Sequence, residues 1–220
     1  MTQYYLISTC QFGYPQPEDD YAQQVYSFES ACPTCEIGKE QLAEFRFNSD
    51  SAPKENDFTG LNWVFDQIFV RQRVKNILEE HHVSGIEFSQ PLHHKKGEKI
   101  PQFYQLRINT ILPPAIINND LKMEICQYPK DKKIAAFLEA NGSTLVKGPF
   151  CGRSKFNFPQ GQPFRFKKRA FEGQPDFVRT NEWFGSGGSA RRPILVSSRI
   201  KELIELNQFK GAQFEPVELA

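Results

Sequence analysis

Two stretches of this chain match each other. Residues 67–88 (QIFVRQRVKNILEEHHVSGIEF) lie over residues 193–214 (PILVSSRIKELIELNQFKGAQF) without a gap. Seven positions are identical: Ile68/Ile194, Val70/Val196, Arg73/Arg199, Lys75/Lys201, Glu79/Glu205, Gly85/Gly211 and Phe88/Phe214. Others exchange one apolar residue for another, among them Val74/Ile200, Ile77/Leu203 and Leu78/Ile204. Internal self-similarity limits topology before any secondary structure is assigned.

The matched unit has a physical reading. Ile68-Phe69-Val70 is a short apolar strand. Val70, Val74, Ile77 and Leu78 then recur at helical spacing and share one helix face. Ser197 is placed to cap the second helix, its hydroxyl accepting from an unpaired N–H. Gly85 and Gly211 follow the helices, where a positive φ is often required. Each copy is therefore a strand–helix–strand unit, too small to bury its own apolar face, and both must pack on a shared sheet. Arg73 and Arg199 could contact a ligand; the expected role is a stem packed on the helix with its head paired locally.

The rest of the chain reads as α+β. Residues 1–8 form a first strand. Residues 47–60 and 93–101 form polar loops. Phe103–Ile108 is a strand, and Pro113 and Pro114 confine Ile111-Leu112 to an edge or a turn. Ile134, Phe137 and Leu138 mark a short helix, with Asp131 as N-cap and Gly142 as its stop. Residues 147–192 are expected to be a basic, irregular part rich in Phe, Gly and Pro. No linker splits the chain, so residues 1–220 are read as one unit. It has an internal pseudo-repeat, mixed sheet or sheets and an N-terminal cysteine-containing knuckle.

Composition bounds the function classes. In 220 residues, 39% hydrophobic and 13% aromatic side chains exclude a disordered or collagen-like chain. No apolar run approaches the roughly 18 residues of a membrane span. The start lacks the basic and apolar regions of a secretory signal, so a cytoplasmic location without a membrane partner is expected. Net charge is +1, but it is unevenly spread. Residues 1–66 carry 11 acids and 3 bases, and residues 147–192 carry 10 bases and 3 acids. Either these stretches neutralise each other or one of them faces a partner.

Five cysteines, an odd number without an export signal, argue for reduced thiols rather than a disulfide framework. Cys32-Pro33-Thr34-Cys35 has the spacing with which two thiolates grip one tetrahedral metal. A complete site needs two further ligands. The region of Cys151 offers one, and Cys10, Cys126, His81, His82, His93 or His94 could supply the other. A redox pair is a second reading, although Glu36, Glu40 and Glu44 would raise the thiol pKa instead of lowering it. Two free thiols left from a decayed site are a third.

Arg165, Lys167, Lys168 and Arg169 alternate with Phe166 and Phe171. Such interleaving could track a phosphate backbone and stack bases, or it could be a strand with a basic face and an aromatic core face. Gly185-Ser186-Gly187-Gly188 lacks the Gly-Lys-Ser/Thr of a phosphate loop, and nucleophile-elbow, metalloprotease-helix and EF-hand patterns are missing. No catalytic residue is assigned, and the chain is not expected to be an enzyme.

The landmarks in order are an N-terminal strand, CPTC, a lead-in containing Trp63 and the V-x-x-R helix with G-x-x-F. Then come F-Y-Q-L, Cys151-Gly152, Glu182-Trp183-Phe184-Gly185-Ser186, and a closing L-V-S-S-R…G-x-x-F-E-P-V-E-L. Together they resemble the double-CXXCG family of bacterial proteins, which neighbours the immunity proteins of polymorphic toxin systems. The resemblance covers most of the chain and is sharpest in Pro193–Leu219 and in Glu182–Ser186. It implies a protein that binds and neutralises a cognate toxin. It also implies a metal set to which Cys32, Cys35 and Cys151 correspond, holding at most one zinc, with a fourth ligand unassigned. Glu36 stands where the family pattern has Gly, and Gly148 where it has Cys. The acidic first third could cover a cationic toxin site. No toxin-contacting residue is assigned. The alternative is a zinc-ribbon-like nucleic-acid-binding regulator using Arg165, Lys167, Lys168 and Arg169.

Overall fold

The structure is a computed structural model that describes residues 3–11, 24–48, 55–62, 64–117, 121–143, 146–185 and 190–220. Trp63, the glycine-rich residues 186–189 and the acids Glu18, Asp19, Asp20 and Asp50 lie outside the described residues. In chain order the elements begin with β1 (Tyr4–Gln11), β2 (Tyr26–Ser27), β3 (Glu40–Gln41), β4 (Arg46–Phe47), β5 (Phe58–Leu61) and β6 (Val64–Arg71). Helix α1 (Gln72–Glu80), β7 (Glu87–Ser89), β8 (Leu92–His93), β9 (Phe103–Arg107), β10 (Met123–Ile125) and α2 (Lys132–Ala140) follow. The last elements are β11 (Ser154–Phe156), β12 (Arg165–Phe166), β13 (Phe177–Arg179), β14 (Trp183–Phe184), β15 (Ile194–Ser197), α3 (Ser198–Leu206), β16 (Ala212–Pro216) and β17 (Glu218–Leu219).

The fold is α+β with a mixed sheet. Eight strands run in the order β13-β15-β1-β5-β6-β9-β7, with β16 also paired to β1. The β1–β5 pair is parallel, while β5–β6, β6–β9 and β9–β7 are antiparallel.

Both matched segments fold as strand–helix–strand, and their surroundings correspond as well. β6 and β7 both pair antiparallel with β9, just as β15 and β16 both pair antiparallel with β1. Val70 sits opposite Tyr104, and Val196 opposite Tyr5. The ammonium groups of Lys75 and Lys201 lie over the rings of those two tyrosines, at 5.4 and 5.5 Å. Each lysine also pairs with the glutamate four residues on, Glu79 or Glu205.

Period-2 alternation splits the sheet side chains between two faces. Ile68, Val70, Ile194 and Val196 face the helices, meeting Val74 and Leu78 of α1 and Ile200, Leu203 and Ile204 of α3 in one core. On the other face Phe69 packs with Phe45, Phe47 and Phe103, and Leu195 packs with Phe166, Phe171 and Phe184. Ten of the 20 phenylalanines pack in this second layer, where their rings fill the volume.

Arg73 and Arg199 have the local role expected of them. Arg73 forms a two-point ion pair with Asp57, whose side chain is 4% exposed. Arg199 pairs with Asp176 at 2.8 Å. Each aspartate also accepts a backbone N–H from the other segment's helix-exit loop: Asp57 from Lys210 (2.8 Å) and Asp176 from Ser84 (3.0 Å). The glycine next in each loop has positive φ, 85° at Gly85 and 94° at Gly211. There the backbone passes so close to the Phe177 or Phe58 carbonyl that no Cβ fits. The two segments thus interlock.

Two expectations change and a third is refined. Ser197 is the N-cap residue of α3, but its hydroxyl donates to Asp176 at 2.9 Å and makes no cap bond. The assigned loop 47–60 ends in strand β5, because Phe58 and Thr59 are needed opposite Val70 and Phe69. The part 147–192, expected to be irregular, carries short ordered pieces among its described residues: β11, β12, β13, β14 and a 3-10 turn over Lys168–Phe171. Its phenylalanines alternate inward, which spacing between prolines obscured.

Candidate metal centre

Cys32, Cys35, Cys126 and Cys151 converge, with all four sulfurs within 4.8 Å of one another. Cys32 Sγ lies 3.7 Å from Cys126 Sγ, and Cys35 Sγ lies 3.8 Å from Cys151 Sγ. A tetrahedral metal with thiolates at ~2.3 Å has sulfurs about 3.8 Å apart along each edge. The four cysteines could therefore hold a metal ion. The sequence-assigned set of Cys32, Cys35 and Cys151 is completed by Cys126.

Local backbone explains the convergence. The first two thiols come from a knuckle in which Glu36 N donates to Cys32 O (2.7 Å) and Cys32 N to Ile37 O (3.0 Å). The turn needs left-handed backbone at position 36, and Glu36 adopts φ 56°; this is the place where the resemblance called for glycine. On the other side, β10 and β11 pair antiparallel. Just beyond them Cys126 N donates to Arg153 O and Gly152 N to Cys126 O, both at 3.0 Å. That pairing sets Cys126 beside Cys151 and supplies the thiol that Gly148 cannot. Arg153 Nη1 donates to Ile37 O (3.1 Å) and Thr34 Oγ1 to Pro149 O (2.8 Å), tying the halves together.

Cys32, Cys35 and Cys126 are buried with Ile37, and Phe150, Trp183 and Ala190 pack against them. Burial raises the Cys32 thiol pKa, but the backbone N–H groups of Cys35 and Thr34 and the thiols of Cys35 and Cys126 outweigh it. The net result is about 6. Burial pushes Cys35 well above the usual thiol range, with neighbouring thiols adding to it, and also raises Cys126. Metal binding requires each thiol to give up its proton, and the lowered pKa of Cys32 favours that loss at one of the four. A redox pair would use a helix N-terminus; here Cys35 leads into a turn and the two-residue β3.

The other sequence candidates lie elsewhere. Cys10 is in β1, where its N–H donates to Gly211 O at 2.9 Å. His81 and His82 are exposed at the end of α1, and His93 Nδ1 accepts from Lys96 N at 3.2 Å. Arg165 pairs with Glu218 at 3.1 Å, and Lys167, Lys168 and Arg169 are exposed. The rings between and beside them, Phe164, Phe166 and Phe171, are buried in the core, so they are not available to stack on bases.

Sequence left Cys126 as one of six candidates for the fourth ligand, because its neighbour Cys151 is 25 residues on and is brought beside it through a strand pair that no motif marks. The acid partners of Arg73 and Arg199 had one legible signal, an Asp-Phe pair at 57–58 and again at 176–177. Among the described residues no helix is long and apolar enough to cross a membrane. Comparison with family models and with curated proteins finds no match to this chain.

Proposed function

We propose that this chain is a non-catalytic immunity protein that binds and neutralises a cognate toxin domain, with one zinc held by the four cysteines as a structural ion. The observation that carries the binding reading is the segment from β10 to α2. Met123, Ile125, Tyr128, Ile134 and Phe137 are exposed there, Phe137 at 68%. Helix α2 buries only Ala135. Large apolar side chains left in water next to a rigid anchor are a feature of protein-binding surfaces. Cys126 closes the strand that leads into this segment, so a bound metal would hold the surface in place rather than act on a substrate. A site with four protein thiolates has no open position for chemistry.

Asp66 of the acidic first third pairs with Arg179 of the basic part at 3.0 Å, Asp57 pairs with Arg73, and Glu36 pairs with Lys39 at 3.1 Å. Those acids are neutralised within the molecule. Lys130, Lys132 and Lys133 flank the exposed apolar residues, which suits a toxin face with an apolar centre and an acidic rim.

Co-expression with the toxin encoded next to this gene tests the reading. Growth rescue and co-purification are expected, and both are expected to be lost in Phe137→Ser. A chain that neither rescues nor co-purifies rejects it.

A further inference from the structure

The sheet, the cysteine knuckle and β14 wall a half-open cavity of about 410 Å³ that the proposed binding role does not use. Its walls carry Lys39, Arg107, Arg179, Arg191 and Arg192 against Glu36, Glu40 and Asp66, with Phe65 and Trp183 beside them. Two of the acids are already taken: Asp66 by Arg179 and Glu36 by Lys39. Among the described residues, Arg191 and Arg192 have no carboxylate partner in an ion pair. Arg192 Nε donates to Asn181 O at 3.1 Å. Glu182, whose field reaches Arg192, accepts through Oε1 from the backbone N–H groups of Ala115 and Ile116.

Both guanidiniums are held by rings. Arg191 sits over Phe65 at 4.8 Å and Phe158 at 4.5 Å, and Arg192 over Trp183 at 4.6 Å. A guanidinium fixed over an aromatic face keeps its in-plane N–H groups for an oxyanion, in the fork that fits two oxygens at once. Burial lowers the pKa of both groups, and Arg179 and Arg153 lower that of Arg192 further; the charges of Asp66 near Arg191 and Glu182 near Arg192 offset this only in part. The molecule therefore spends free energy holding cations that an anion would compensate.

We propose that this cavity binds a small organic or inorganic anion bearing at least two carboxylate or phosphate groups, gripped by Arg191 and Arg192. The volume falls within the range of small-molecule sites. This assignment is independent of toxin binding.

Calorimetric titration of the full chain with citrate and, separately, with inorganic pyrophosphate at fixed ionic strength tests it and tells the two chemistries apart. One-to-one binding of at least one probe is expected, with a change in tryptophan fluorescence. Arg191→Gln and Arg192→Gln should each weaken binding at least about tenfold, while the remote Arg165→Gln leaves it unchanged. Should Arg192→Gln fail to fold, Arg107→Gln in the sheet wall is expected to weaken binding in the same direction. The proposal is overturned if neither probe binds one-to-one. It is equally overturned if binding survives the substitutions at 107, 191 and 192, or falls as much in Arg165→Gln.

Discussion

The sheet with its two helices and the cysteine knuckle solve the same problem in different ways. In the first, α1 and α3 share one core with Phe58, Phe177 and six residues of β1, β6, β9 and β15, and reciprocal aspartates lock one segment to the other. In the second, the strands on both sides are two or three residues long, and the buried set is Cys32, Cys35, Ile37 and Cys126. So small an apolar set cannot offset the entropy of ordering its loops, and such regions depend on cross-links or metals. The difference teaches where each kind of substitution will act: volume and backbone in the sheet, ligand chemistry in the knuckle.

The largest effect is expected from breaking the knuckle. Metal-binding free energies at four-thiolate sites are on the order of 10 kcal/mol. With the proposed zinc held by all four cysteines, Cys126→Ser should reduce the metal content of purified protein from one ion per chain to a small fraction, as should a strong chelator. Limited proteolysis should then cut around the knuckle while the eight-stranded sheet stays resistant. Cys10→Ser should keep its zinc. Equal metal content in Cys126→Ser and the parent would remove Cys126 from the ligand set.

Next in size are the two loop glycines, which test the interlock of the sheet region. Gly85→Ala and Gly211→Ala each add a Cβ against a carbonyl oxygen at positive φ, with an expected cost of about 3 kcal/mol in urea unfolding. Gly97 also has positive φ, 69°, but nothing within 4 Å of an added Cβ; Gly97→Ala should cost only about 1 kcal/mol. Costs at 85 and 211 no larger than at 97 would show that the segments do not meet as closely as described.

What the sequence made legible divides along the same line. The strand–helix–strand segments could be read because their apolar residues recur at 3.6- and 2-residue periods, a local signal. Helix α2 was legible from its caps: Asp131 accepts from Lys133 N at 2.8 Å, and Gly142 follows at φ 65°. The knuckle was only half legible. Cys32 and Cys35 sit in one turn, whereas Cys126 reaches Cys151 through β10–β11 pairing, which has no motif. The arginine-lined cavity was invisible, since Arg107, Arg179 and Arg192 are assembled from distant strands and loops.

Asp57 offers a smaller and pH-dependent test of the interlock. Burial raises its pKa, but hydrogen bonds from Arg73 and Lys210 N and the charges of Arg73 and Arg71 bring it down overall. A depressed folded-state pKa contributes stability that is present above the unfolded value of about 3.9 and is lost as pH falls through the folded value. Arg73 is 56% exposed, so solvent screens much of the ion pair. Most of the loss then comes from weakening the bond to Lys210 N and the buried two-point contact. Asp57→Asn should cost about 2 kcal/mol at neutral pH and progressively less as the parent is taken below pH 4. A cost that stays constant with pH would mean that the carboxylate charge takes no part.

The smallest stability effect is expected where the binding proposal is most exposed to test. Phe137 and Ile134 lie three residues apart on one face of α2 and are 68% and 53% exposed. Phe137→Ser removes apolar surface that is already in water, so its unfolding free energy should change by less than about 0.5 kcal/mol. If this face docks a toxin, the same substitution loses the desolvation of a central aromatic, a loss of the size seen at interface hot spots, about 2 kcal/mol or roughly 30-fold in affinity. A stable protein with weakened toxin binding separates the surface from the scaffold that supports it. Unchanged binding in Phe137→Ser and Ile134→Ser would move the interface off α2, leaving the metal centre and the sheet interlock as they stand.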